Sequence, residues 1–429
     1  MAFLSFLKNS RPVRIHLIIF SVFFLVRLLF VLISGFDNYE LQGDVHRYLV
    51  LSEKVLKGDF NFDIGIFIVA PFYPVYIAIH KLLFGSFWDI ALSISQMTLA
   101  SLSGVYLYKS ARLLFNDDNR KALLATGIYC VFPMTLIYVH TFAQEILFQS
   151  FLIIFIYYLI QSVKKGSYKY LIISAIIFSI TFLVKSHILL YAPFVVIFFF
   201  LNFKNQFRKS ILFSGLFGLI ALTSTLPFGL YNLKHHKVYT LSSNGVELFF
   251  YAGNTEYSYQ WIVNTPERGT KEFAILLGMD TGFSYYNGPS FDSITRLPQH
   301  IKHKLYLKEA VEWVKNNQEK FWEMKWQNFV RFFMPGISFK HYPFLEALII
   351  FIVSFPVYLL AYIGIAIALK RNFSLHFWVL GMMVTMLIFS VIFYLQSRFR
   401  IITMEPFYTL YSGYAFSEII DYFKSRRSK

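Results

Sequence analysis

The chain has 429 residues, 56% hydrophobic, 20% aromatic and only 15% charged, where soluble domains carry about 25% charged residues. Its mean hydropathy of +0.53 and its apolar runs near the ~20 residues that cross a bilayer describe an all-α polytopic membrane protein. The net charge of +16 excludes little by itself, because Lys and Arg gather in short loops between spans, an orientation signal rather than a nucleic-acid footprint.

The first span is expected over residues 13–34, after Lys8, Arg11 and Arg14. Those basic residues put the N-terminus on the cytoplasmic side. The run is too long for a signal-peptide core and lacks a convincing small-residue cleavage site, so it reads as an uncleaved anchor. Arg27 lies inside it and is read as snorkelling or paired within the bundle.

An extracytoplasmic stretch, 35–88, follows. Val45, Tyr48, Leu49, Val55 and Leu56 give residues 44–57 one apolar side, with Gly58 as the stop. Residues 71–85 hold Pro71, Pro74, His80 and Lys81 in about 15 residues, too few to cross. A helix lying along the membrane surface fits them better. That choice puts the basic loop with Lys109, Arg112, Arg120 and Lys121 inside.

Further spans are expected over 90–108, 122–139, 146–160, 170–184, 188–203, 211–231, 344–369, 377–395 and 401–423. The total is about ten spans with both termini cytoplasmic. Cys130, the single cysteine, lies in one of them, so neither a disulfide nor a thiolate metal cluster forms within one chain. The long outer segment, 232–343, contains a helical stretch over 302–333. Leu305, Ala310, Val314, Phe321, Trp322, Trp326 and Phe329 recur there at helical spacing. It suits a helix resting on the interface or an ordinary amphipathic packing helix. The chain thus divides into a membrane module 1–231, an outer loop 232–343 and C-terminal spans 344–429.

On this topology Asp44, His46, Glu145, Lys185, His187, Arg398 and Arg400 all fall on the outer face. Carboxylates and cations gathered on one face suit an anionic ligand with an acid or base beside it; Arg reads phosphate bidentately and Lys serves as a point charge. The plainer alternatives are that Asp44 and Glu145 cap their helices, and that Lys185 and the arginines reach for headgroups. The two histidines read as structural, with no zinc ligand set in view.

An ordered series of short motifs resembles the GT-C class of membrane glycosyltransferases, in the branch of protein O-mannosyltransferases and the lipid A aminoarabinose transferase. It runs through Gly43-Asp44, Tyr48, Pro71-Phe-Tyr73-Pro74, Gln96, Gly104, Leu107-Tyr108 and Arg112-Leu-Leu-Phe115. It continues through Pro133, Tyr138, Glu145, Leu183-Val-Lys185, Pro227, Asn232, Gly253-Asn254, Arg398-Phe-Arg400 and Glu405-Pro406. The resemblance implies a GT-C helical bundle in the cell (inner) membrane with its active site outside. The reaction it implies moves a sugar from a polyprenyl-phosphate donor to a lipid, glycan or protein acceptor, with inversion. Asp44 is then the general base and Glu145 a second acid. Lys185 and Arg398, with Arg400 in reserve, hold the donor phosphate. His46, Tyr48, His187 and Asn254 are further substrate contacts. Many relatives carry a second acid directly after the first-loop Asp, where this chain has Val45 and then His46, so no cofactor is expected and a metal is not supported.

Two other readings stand beside this one. A lipid-linked oligosaccharide polymerase or ligase would lean on its arginines and leave Asp44 dispensable. A transporter would show inverted repeats and broken helices at the midplane, and neither is evident.

Overall fold

A computed structural model describes residues 12–34, 44–64, 67–139, 141–243, 246–268, 270–272, 297–393 and 397–427. Its first half comprises α1 (Pro12–Ser34), α2 (Asp44–Leu56), β1 (Asp63–Ile64), β2 (Phe67–Ile68), α3 (Phe72–Phe84), α4 (Trp88–Leu114), α5 (Asn119–Val131), α6 (Glu145–Lys165), α7 (Tyr168–Val184), α8 (Ala192–Asn202) and α9 (Phe207–His236). Next come α10 (Val246–Ala252), α11 (Glu256–Ile262), α12 (Gln299–Asn316), α13 (Gln318–Phe333), α14 (Phe344–Arg371), α15 (Phe373–Ile388) and α16 (Ser397–Arg427). Among the described residues the fold is all-α apart from one tiny antiparallel hairpin, β1–β2. Residues 41–43, and residues 273–296 of the expected outer segment, lie outside the described residues.

Among the described residues, six helical segments are long and apolar enough to cross a membrane, and 168–184 and 186–202 are shorter apolar ones. The protein is a multi-pass membrane protein. α6 sits at the centre, with 83% of its apolar core buried, as expected of a helix that is apolar on every side. α1 is the opposite case: Ile15, Ile19 and Phe23 pack inward while Leu17, Leu25, Leu29 and Ile33 stay exposed. Such a surface suits lipid, where helix contacts depend on packing rather than on escape from water. α16 and α5 approach closely at Gly413, where any Cβ would collide with the Ala125 backbone.

Several expected elements change at identifiable residues. The span expected over 122–139 is broken at Pro133, so α5 stops at Val131 and one helical turn, Pro133–Leu136, follows. Residues 186–191 form a tight helical turn before α8. The stretch expected as one helix over 302–333 is two helices parted at Asn317. α3 has 13 residues, about 20 Å of helix against about 30 Å of hydrocarbon. It breaks from α4 at Gly85, whose φ of 54° favours glycine. α2 ends as expected, with Gly58 at φ 79° just beyond. Arg27 does not reach the surface: it is fully buried, donates to the Phe23 carbonyl at 3.3 Å and lies over the Phe23 and Tyr129 rings.

Candidate active site

Helix ends build the site. Asp44 opens α2, Glu145 opens α6, Lys185 follows the last residue of α7, and Arg398 is the second residue of α16. Acids at helix N-termini sit comfortably with the helix dipole, whereas a cation there does not. Arg398 is held instead by carboxylates: its Nη1 donates to Asp44 Oδ2 at 2.6 Å and lies 3.7 Å from Glu145 Oε1. Lys185 Nζ stands 2.8 Å from the same Glu145 oxygen. Arg47, one turn along α2, donates to Asp44 Oδ1 at 3.0 Å. Asp44 therefore has one oxygen on each of two arginines.

Asp44, Arg47, Lys185 and Arg398 line a cavity of about 130 Å³ together with Tyr48 and His187, and Glu145 reaches it through its pairs with Lys185 and Arg398. Tyr48 packs edge-on against Tyr73 at 5.0 Å. His187 is buried among Phe148, Phe389 and Phe399, with Nε2 3.3 Å from Thr403 Oγ1. Burial acts to raise the Asp44 pKa, but Arg398 outweighs it, with help from Arg47 and Lys185, and the carboxyl titrates at about 2. Burial pushes the Lys185 ammonium down, opposed by Glu145.

Six of the nine residues singled out from the sequence come together here: Asp44, Tyr48, Glu145, Lys185, His187 and Arg398. Three do not. His46 is exposed on α2 and does not line the cavity. Asn254 is buried elsewhere, its amide donating to the carbonyls of Phe250 and Ile392 at 2.6 and 3.1 Å. Arg400 is committed to structure: Nη1 donates to the carbonyls of Arg331, Phe332 and Met334, and Nη2 to that of Gly336 at 2.5 Å. Two of these carbonyls end α13 and two belong to the turn just after it, so Arg400 works as a cap on that junction and leaves no fork for phosphate. Lys325 does similar work, donating to the carbonyls of Gly253 and Ile392 at 3.1 and 3.4 Å.

The sequence reading passed over Arg47 and Gln144. Arg47 carried a signal, its spacing of three from Asp44 on a helix. Gln144 faces the cavity with a buried side-chain oxygen that has no partner, and nothing in the sequence distinguishes it. Among the described residues no three His, Cys, Asp or Glu side chains converge as a metal site would need.

Residues 69–231 match the family model of dolichyl-phosphate-mannose-protein mannosyltransferases. Over that segment the chain is similar to this family of membrane mannosyltransferases. Within the matched segment lie Glu145 and Lys185, while Asp44 and Arg398 come from outside it. No curated protein matches the chain in sequence. Among solved structures, ArnT from Cupriavidus metallidurans bound to undecaprenyl phosphate aligns at 14% identity and a TM-score of 0.37, over 94% of this chain and 76% of that one. A score that low is too loose to place side chains, so the roles of these residues are argued from the protein's own geometry.

Proposed function

We propose that this protein is a membrane glycosyltransferase that moves a sugar from a polyprenyl-phosphate donor to an acceptor on the extracytoplasmic face, with inversion, in the Asp44 cavity. One observation carries the reading. Asp44 and three cations, drawn from segments far apart in sequence, line a single cavity, and Glu145 pairs with two of those cations. The matched family's description supports a lipid-phosphate sugar as donor. The basic loops at 109–121 and 164–169 support the sidedness, since they join the ends of α4–α7 away from the cavity.

In the reaction, the acceptor hydroxyl oxygen attacks the anomeric carbon from the face opposite the phosphate. A bond forms from that oxygen to the carbon, and the bond from the carbon to the phosphate oxygen breaks. Its electron pair leaves on the polyprenyl phosphate. Asp44 takes the hydroxyl proton. Lys185 and Arg398 offset the charge that grows on the leaving phosphate, the cation as a point charge and the guanidinium as a fork. Glu145 holds Lys185 in place and sets the field around Asp44. Tyr48 and His187 shape the cavity wall.

The test is Asp44→Asn in membranes supplied with a polyprenyl-phosphate sugar, with expression kept equal. Transfer is expected to fall by about 10²–10⁴-fold, the range that a general base contributes. Full transfer by that variant would remove Asp44 from the mechanism.

A further inference from the structure

The cavity is bridged by its own ion pairs. Facing Asp44 are Arg47 from α2 itself, Arg398 from α16 and Lys185 from the end of α7, while Glu145 of α6 shares Arg398 and Lys185. Three cations against two carboxylates leave a net charge of +1, which calls for an anion. The volume of about 130 Å³ is below the roughly 300–1,000 Å³ of ligand pockets. A lipid-linked sugar therefore enters only if the side chains that bridge the cavity give way. The Arg398–Asp44 bridge is the movable one, since about a third of each side chain is exposed, at 34% and 33%.

We propose that Arg398 is a counter-ion exchanged between Asp44 and the donor's phosphate, so that donor binding uncovers the base while Arg47 keeps it aimed. The inference rests on the proposed donor chemistry and adds an order to it: donor first, acceptor activation second. Arg47 suits the second role because it sits on the same helix face as Asp44, on the other carboxylate oxygen, at 3.0 Å. It can hold Asp44 whether or not Arg398 is present. A carboxylate held by two guanidiniums is a poor proton acceptor. Once Arg398 turns to phosphate, burial and a single remaining arginine leave a stronger base. The device protects the donor, because no activated hydroxyl, water included, forms before the sugar phosphate is seated.

The experiment uses the full-length protein in lipid nanodiscs, with undecaprenyl phosphate as the probe. Carbodiimide labelling of Asp44 across pH, read by mass spectrometry, reports its protonation, and native mass spectrometry reports lipid binding. The lipid is expected to raise the Asp44 midpoint by about one unit or more, the size of an ion pair's effect. Arg398→Gln is expected to raise that midpoint without lipid, to remove its further response to lipid and to weaken lipid binding about tenfold. Arg47→Gln is expected to leave lipid binding within about twofold while slowing transfer at saturating donor, with Arg47→Lys recovering part of the rate. Lipid that binds without moving the Asp44 midpoint overturns the exchange and leaves the donor reading intact. Failure of the lipid to bind overturns both. An Arg47→Gln variant that loses lipid binding as Arg398→Gln does would overturn the division of roles.

Discussion

Lys185 and Glu145 stand 2.8 Å apart with 5% and 3% of their side chains exposed. Arg398 and Asp44 stand 2.6 Å apart with 34% and 33% exposed. The distances are alike and the physics is not. A buried pair cannot be broken cheaply, because the partner left behind is an uncompensated charge with no water to meet it. An open pair is worth little to the fold, since solvent screens it and replaces it. On the proposed mechanism the site has a fixed half that holds shape and a loose half that exchanges partners. Catalysis by charge needs both: preorganised groups that wait for the phosphate, and a base that is silent until it arrives.

The sharpest way to break this contrast is Lys185→Met beside Arg398→Gln. Lys185→Met strands Glu145 and is expected to cost about 3–5 kcal/mol, seen as a lower thermal midpoint in detergent. Arg398→Gln is expected to shift stability by about 1 kcal/mol or less, even though it impairs transfer. The double variant Glu145→Leu with Lys185→Met sharpens the point. It removes both charges and should recover most of the stability without recovering transfer. Equal melting of Lys185→Met and Arg398→Gln would erase the distinction between the halves.

The sequence made the helical membrane class, the central apolar spans and the polar groups at helix ends legible, because hydropathy and charge position are properties of the chain alone. It also brought Asp44, Glu145, Lys185 and Arg398 to one list. It did not separate Arg398 from Arg400, two residues apart in one short basic motif. On a helix, neighbours separated by two point to opposite sides, so one faces the cavity and the other faces α13. Pattern alone also passed over Pro133 and Asn317, where a local break cuts an apolar run that looks continuous. Asn254 and His46 failed for a related reason: burial and exposure depend on what packs against them, and no neighbour along the chain reveals that.

Arg400 offers the next largest effect. Its guanidinium serves four carbonyls at and just after the end of α13, and an ammonium cannot reproduce that planar fork. Arg400→Lys is expected to lose about 1–3 kcal/mol through unpaired buried carbonyls. Protection of the α13 backbone in hydrogen exchange should fall before the rest of the bundle loosens. Undecaprenyl phosphate binding should fall far less than in Arg398→Gln. A larger loss of lipid binding in Arg400→Lys would return that residue to the donor site.

A smaller effect follows from the Asp44 carboxyl, held at about 2 in the fold against an ordinary 3.8. A depressed carboxyl adds stability above its unfolded pKa and loses it as the pH falls through the folded one. Stability from this pair should therefore be flat across pH 5–8 and decline from about pH 4 towards 2. Exposure of a third of each side chain keeps the slope shallow. In Asp44→Asn that component of the acid slope should be gone, as measured by the thermal midpoint against pH. An unchanged acid slope would mean that Arg398 does not hold Asp44 in solution.

The smallest expected effect on stability comes from the far side of α13. Met324, Lys325, Asn328 and Phe332 face inward, while Trp322 and Trp326 stay 67% and 63% exposed, one turn apart. Two exposed tryptophans on one stripe, on a helix that ends close before the α14 span, match the amphipathic belt at a membrane interface. Nanodiscs containing brominated lipid should quench that fluorescence, and Trp322→Ala with Trp326→Ala should remove the quenched component. The thermal midpoint should move within about ±0.5 kcal/mol, as for surface substitutions generally. Emission indifferent to the bromine would place that stripe in water and assign α13 to packing alone.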